Sequence, residues 1–392
     1  MIRVRDTPRR GSSTFINRFS QYACVLVAGC ILLTAPRSLV AQTTSDGTFA
    51  DLSASADSAR EAGDVARAVQ LYEKAVQLNP QWALGWWYLG TLQYGNDAYG
   101  AATDALTHYL ALTPKAAPAL ALRGQCELEL GQYAESLRDL EQSIALGAAN
   151  EARNAGILYF GIARDLTKLG RFEESIAQYT VLIRHGVRSN EVVNGLGLAG
   201  LHMATLPRDI QAGQQELVAA TGQAAATVLS GDFSGGRQQF EQVFQRFPAM
   251  AWLHYFYGYL LFETHPREAI AQFQEELRIA PANAIVHAML AWGLGMQGDY
   301  AAALPDAQKS VEENPTLGLA QLVLGRDQLE TGDVKGSLAH LETALGIEPQ
   351  NLEVHLALAK AWSELGRKND ARRERLQCLA LAEKRAAPDA NM

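Results

Sequence analysis

The chain has 392 residues, 48% of them hydrophobic and 19% charged, with a formal net charge of −8. That is enough for two or three domains or one long array, and it excludes a disordered, solvating chain. The acid excess argues against generic binding to nucleic acid or to an anionic membrane surface.

Residues 1–41 read as a signal peptide. Arg3, Arg5, Arg9, Arg10 and Arg18 form a basic leader, "YACVLVAGCILLTA" (22–35) is apolar and uncharged, and "SLVAQ" places a cleavage position at Ala41. The apolar run is shorter than the ~20 residues of a spanning helix. Export follows, to the periplasm or beyond. The segment "VAGC", Val27 to Cys30, offers an alternative in which the protein is a lipoprotein anchored through Cys30. Only that lipid, or an uncleaved leader, would tie the protein to a membrane. Residues 1–41 carry six Arg and one Asp, so 28 basic and 41 acidic residues remain after cleavage, a net charge near −13. Cys126 and Cys378 then survive, far apart and without C-x-x-C spacing, and they read as two buried thiols.

Beyond a short linker (42–48) the chain keeps a ruler. Pro80 and Pro114 are 34 residues apart, as are Pro281, Pro315 and Pro349 in turn, and Gly298, Gly332 and Gly366 keep the same step. "GDVARAVQLYEKAVQLNP" (63–80), "GDYAAALPDAQKSVEENP" (298–315) and "GDVKGSLAHLETALGIEP" (332–349) are one unit reused. Each unit predicts two amphipathic helices. In the first, apolar or small residues recur at repeat positions 4, 7, 8 and 11, the i, i+3, i+4, i+7 stripe. Gly, often with Asp after it, breaks the chain at positions 15 and 16, and Pro at position 32 stops the second helix. Small residues at positions 8 and 20 let the two backbones approach.

This pattern resembles the tetratricopeptide repeat family, with its Trp-x2-Leu-Gly, then Ala, aromatic, Ala and Pro over 34 residues. The resemblance implies an all-α, right-handed superhelical solenoid of helix-turn-helix repeats. Units begin near 49, 83, 117, 156, 217, 251, 284, 318 and 352. They form N-terminal repeats (49–186) and C-terminal repeats with a capping helix (217–384), followed by a disordered tail (385–392).

Residues 187–216 break the rhythm and read as an irregular insertion or an incomplete repeat. They include Gly195-Leu196-Gly197-Leu198-Ala199-Gly200, a match to G-x-G-x-x-G. A dinucleotide turn needs a strand before it and a helix after it. Helical repeats flank this match instead, and the ruler places Gly197 at position 8, the counterpart of Gly90, Gly124, Gly258 and Gly325. No cofactor is expected.

Nor does the remaining sequence hold a catalytic or metal motif. His254, His287 and His355 all occupy position 4, which points to packing or a local hydrogen bond repeated along the array. Glu173-Glu174, Glu275-Glu276 and Glu312-Glu313 lie on second helices and read as solvated faces.

Positions 2, 5, 9 and 12 form a second stripe on each first helix. The family resemblance implies that it lines a concave groove. In the unit at 251 the stripe is Trp252, Tyr255, Tyr259 and Phe262; Trp87, Tyr94, Phe160 and Trp292 lie on it in other units. Aromatic residues suit a contact surface, because they bury much area with few torsions to freeze. An alternative is that the irregular segment packs on this stripe. Some members of the family grip a C-terminal carboxylate with Lys and Asn; Ser53, Asp57, Trp87 and Thr91 stand at those positions, so that clamp is absent. The sequence therefore reads as a non-catalytic envelope scaffold that holds an apolar or aromatic peptide segment of a protein partner. A small-ligand receptor or enzyme with a pocket at the irregular segment, and a self-associating architectural protein, are the alternatives.

Overall fold

The computed structural model describes residues 45–150 and 152–386. The leader (1–41), with Cys30 and Ala41, and the tail beyond Ala386 lie outside the described residues.

The described residues are all-α. Nineteen helices follow one another: α1 (Ser45–Glu61), α2 (Val65–Leu78), α3 (Ala83–Gly95), α4 (Tyr99–Leu112), α5 (Ala117–Glu129), α6 (Tyr133–Ala145), α7 (Ala152–Lys168), α8 (Phe172–Arg184), α9 (Asn190–Gly200), α10 (Gln215–Leu229), α11 (Phe233–Arg246), α12 (Leu253–Leu261), α13 (Pro266–Ile279), α14 (Ala284–Met296), α15 (Tyr300–Glu313), α16 (Gly318–Glu330), α17 (Val334–Ile347), α18 (Leu352–Glu364) and α19 (Lys368–Ala386). Single 3-10 turns at Ala148–Asn150 and Pro207–Asp209 complete the set among the described residues. Helix α1 begins inside the stretch read as a linker, so residues 45–48 are helical.

The Gly-Asp punctuation has a direct physical role. Gly298 and Gly332 end α14 and α16 at φ 81° and 97°, a left-handed conformation that glycine adopts without a steric penalty. The Asp that follows then caps the next helix: Asp299 Oδ1 accepts from the Ala302 amide at 3.2 Å, and Asp333 Oδ1 from the Gly336 amide at 2.9 Å.

The chain forms two compact units, whose boundary between Gln178 and Tyr179 falls inside α8. In the first unit α1 to α6 pair as hairpins (α1 with α2, α3 with α4, α5 with α6), and each second helix also packs on the next first helix. Ala68, Tyr72, Leu89 and Ala105 make one core cluster, Leu106, Ala119, Leu120 and Cys126 a second, and Leu140, Leu158, Ile162 and Leu166 a third. Position 8 works as its spacing requires: a Cβ on Gly90 would come within 2.8 Å of the Leu106 side chain, and one on Gly124 within 2.9 Å of Leu140.

The second unit contains the break in the ruler. Helix α9 has no α-helical partner of its own in the repeat; a segment of turns with one 3-10 turn, 201–214, follows, and α9 packs along α10, the first helix of the next repeat. Regular hairpins then run from α10–α11 to α18–α19. One of the two cysteines in the described residues departs from expectation. Cys126 is buried, whereas Cys378 is partly exposed on α19, the last helix of the described residues.

Candidate partner-binding face

Four repeats fix their first helix through the residue at position 4. Trp86 Nε1 donates to the Pro80 carbonyl at 2.9 Å, and Gln321 Nε2 to the Pro315 carbonyl at 2.8 Å. His287 Nε2 lies 3.0 Å from Pro281 O, and His355 Nε2 3.0 Å from Pro349 O. The other ring nitrogen of each His faces its own second helix: Asp306 Oδ1 at 2.6 Å for His287, Glu374 Oε2 at 2.8 Å for His355. In the shortened repeat His254 Nδ1 lies 2.7 Å from Gln272 Oε1 and stacks on Phe244. These histidines are thus local clips spread one per hairpin. Among the described residues no three His, Cys, Asp or Glu side chains gather to hold a metal ion.

With the first helices so held, the second stripe can be located residue by residue. In the first unit Trp87 is half-buried, its ring 5.5 Å from Tyr109. Tyr94 is half-buried and packs on the core cluster around Leu106 and Cys126. Burial pushes its phenol pKa well above the ordinary range. Phe160 lies beneath the guanidinium of Arg164, 5.6 Å from ring centre to carbon, and Arg164 reaches Glu129 on α5 at 3.2 Å.

In the second unit the stripe divides. Tyr255 is fully buried, at 0% exposure, with Trp252, Tyr259 and Phe273 rings 5.5, 6.1 and 6.0 Å away. The expectation that Tyr255 lines an open groove is corrected: the nine-residue α12 sits deep, and its aromatic neighbours close over the ring. Trp252 is half-buried, and the irregular segment covers it: His202 stacks on its indole, 3.7 Å between centroids and 9° between planes. Tyr259 on α12 and Phe262 at its C-cap remain half-buried, with Phe262 near Gly293 of α14. Trp292 carries Arg326 from the next first helix over its face at 4.7 Å.

Arg326 was not singled out by the sequence reading, which followed aromatic residues alone. The signal was available: Arg164, Arg326 and Lys360 all occupy position 9. Each is neutralised in place, Arg326 by Asp327 at 3.0 Å and Lys360 by Glu330 at 2.5 Å. Asp327 is fully buried, and burial lifts its carboxyl to about 6 against the pull of Arg326. His202 gave no such signal, since nothing in its local sequence marks the end of α9. Glu276 was read as part of a solvated face. It is instead fully buried and accepts the amides of Trp252 and Tyr255 at 2.6 and 3.2 Å, capping α12 from α13.

The G-x-G-x-x-G match resolves into helix contacts. A Cβ on Gly195 would collide with the Tyr179 ring, one on Gly197 with the Val218 carbonyl and the Gly222 amide, and one on Gly200 with the Phe256 ring. All three lie within or at the end of α9, so their amides serve the helix and cradle no phosphate. Family models of the tetratricopeptide repeat match residues 53–117 and 328–374. This chain is a tetratricopeptide repeat protein.

The Hsp70-Hsp90 organizing protein of Triticum aestivum is 32% identical over 94 residues, 24% of this chain and 16% of that protein. The chain thus matches about a sixth of the length of that curated relative. Among solved structures, MamA is 19% identical, with 42% of this chain and 96% of MamA covered at a TM-score of 0.37. YrrB, described as a TPR protein with an unusual peptide-binding site, is 16% identical, with 42% and 84% covered at a TM-score of 0.36. The tetratricopeptide repeats support a role in protein–protein interaction. Among the described residues no helix is long and apolar enough to cross a membrane.

Proposed function

We propose that this tetratricopeptide repeat protein is a non-catalytic scaffold of the cell envelope that holds an apolar or aromatic segment of a protein partner on its first-helix faces. The observation that carries the reading is the run of Tyr259, Phe262, Trp292 and Arg326 along α12, α14 and α16. These are half-buried rings and a guanidinium plane on consecutive first helices, with Phe262 also packed on Phe273 and Trp292 against the core beneath it. Such groups bury much area at little conformational cost and are over-represented where partners bind. Leu356, 48% exposed at position 5 of α18, extends the apolar character of the same stripe. The leader at 1–41 supports export, with cleavage near Ala41 or lipidation at Cys30.

Site-specific photocrosslinking in the native cell tests this. A benzophenone amino acid placed at Phe262 or Leu356 should trap one and the same partner, and one placed at Gln308, exposed on second helix α15, should trap none of it. An identical product from all three positions would remove the case for the first-helix face.

A further inference from the structure

We propose that residues 201–214 form a strap that occupies the Trp252–Tyr255 corner at the start of α12 in place of a partner segment, with His202 on Trp252 as its latch. The partner clause rests on the scaffold reading; the strap itself does not.

The latch has the geometry of a ligand in a corner. The His202 imidazole lies flat on Trp252 at 3.7 Å and meets Tyr255 edge-on at 5.6 Å and 85°, while Trp252 and Tyr255 stand at 82° to each other. Two rings from α12 and its N-cap thus make a right-angled seat, and the strap supplies the planar group that fills it. A displacing segment must bring a planar ring of its own.

The seat is built independently of the strap. Trp252 has φ 71°, and the buried Glu276 holds it there by taking its amide and that of Tyr255. His202 is the removable half. It also has a left-handed backbone, φ 51°, at the end of α9, where its amide donates to Ala199 O at 3.1 Å and the Met203 amide to Leu198 O at 2.9 Å. At this place α1, α5, α7, α10, α14, α16 and α18 have glycine with positive φ. A side chain is disfavoured in that conformation. His202 is kept there with its ring seated on Trp252.

The strap can lift without parting the helices on either side. Helices α9 and α10 are joined by backbone contact at Gly197 and Gly222, where a Cβ on Gly222 would strike the Val193 carbonyl. Within the strap only Leu201 and Leu206 are buried, while Ala204, Arg208, Asp209 and Gln211 to Gly213 are exposed.

The test reports opening by thiol access. Leu206→Cys is introduced in the full chain carrying Cys378→Ser, and maleimide modification at position 206 is followed by peptide mass spectrometry. Adding His202→Gly removes the ring and relieves the left-handed backbone together, so the helix end stays intact. It should speed modification at 206 about tenfold, and His202→Phe, which keeps a ring to stack, should stay within about twofold of the parent. Leu201→Cys, at the other buried strap position, serves as a second reporter should the change at 206 disturb folding. Equal rates in the Gly variant and the parent overturn the proposal. So does modification of the buried Cys126 at the same pace, because that reports global unfolding. No partner enters the measurement, so its failure leaves the crosslinking result to decide the scaffold reading.

Discussion

His287 Nε2 lies 3.0 Å from the main-chain oxygen of Pro281, the residue that closes the preceding repeat. Both ring nitrogens of His287 face acceptors, Pro281 O and the Asp306 carboxylate, so a proton on each is favoured. Burial alone would lower its pKa; the bonds to Asp306 and Pro281 outweigh it and raise the pKa. A raised folded-state pKa contributes stability that is complete below the unfolded value, about 6.5, and is lost as pH rises through the folded one. His287→Ala should therefore cost about 1–3 kcal/mol near pH 6 and less at pH 9, read as thermal unfolding at the two pH values. The His287 ring should titrate above the free-histidine range by NMR.

Two buried acids give a second pH dependence of the same sign. Burial, with Asp139 close by, lifts Glu127 to about 7, and burial lifts Asp165 to about 8 despite the hydrogen bond from Ser136 at 2.6 Å. The folded chain holds these protons where the unfolded chain has lost them, so stability falls as pH rises from about 4 through 7 and 8. Asp165→Asn should raise the unfolding temperature at pH 9, by an amount corresponding to about 1–3 kcal/mol. At pH 5 it should change little. A stabilisation independent of pH would show that Asp165 is not the titrating group.

Helix contact at the former fingerprint is testable by adding one carbon. Gly197→Ala drives a Cβ into the Val218 carbonyl and should cost about 1–3 kcal/mol. Gly213→Ala, where no atom lies within 4 Å of the added carbon, should be close to neutral. Calorimetric titration with nicotinamide or adenine nucleotides should show no heat of binding in either variant or the parent.

Arg326 should matter through Asp327 as well as through Trp292. Arg326→Ala strips the fully buried Asp327 of its ion pair and should destabilise by about 2 kcal/mol at pH 8. Asp327→Asn in the same chain should recover most of that loss. A double-mutant cycle with no coupling would mean that the pair contributes nothing.

Much of this architecture is legible in the sequence. The ruler located the helices because a 34-residue period repeats the same punctuation: glycine at the left-handed turn, Asp at the cap, Pro at the stop. Position 8 glycines were legible for the same reason, and so were the recurring position 4 histidines as local bonds. The binding face was less so. A helical wheel places Tyr255 and Tyr259 on one stripe alike, but burial depends on which neighbour lies above, and Tyr255 is sealed by rings from α13 and the N-cap of α12. His202 was invisible because its role is fixed by where α9 ends and where Trp252 stands, residues 50 apart in sequence. Glu276 was misread for a related reason: a Glu-Glu pair looks solvated until a strained amide needs its charge.

The bonds from position 4 to the preceding Pro carbonyl have a consequence for how such a chain can be edited. Donor and acceptor belong to different repeats, so where this bond forms one repeat completes its neighbour's last turn. Excising residues 282–315 would leave Pro281 followed directly by Thr316, with Gln321 delivered to the register of His287 and its donor again six residues after a proline. A cut of the same length begun at mid-hairpin would pair a second helix with a foreign first helix. The join after proline is thus a splice point at which repeats are interchangeable parts.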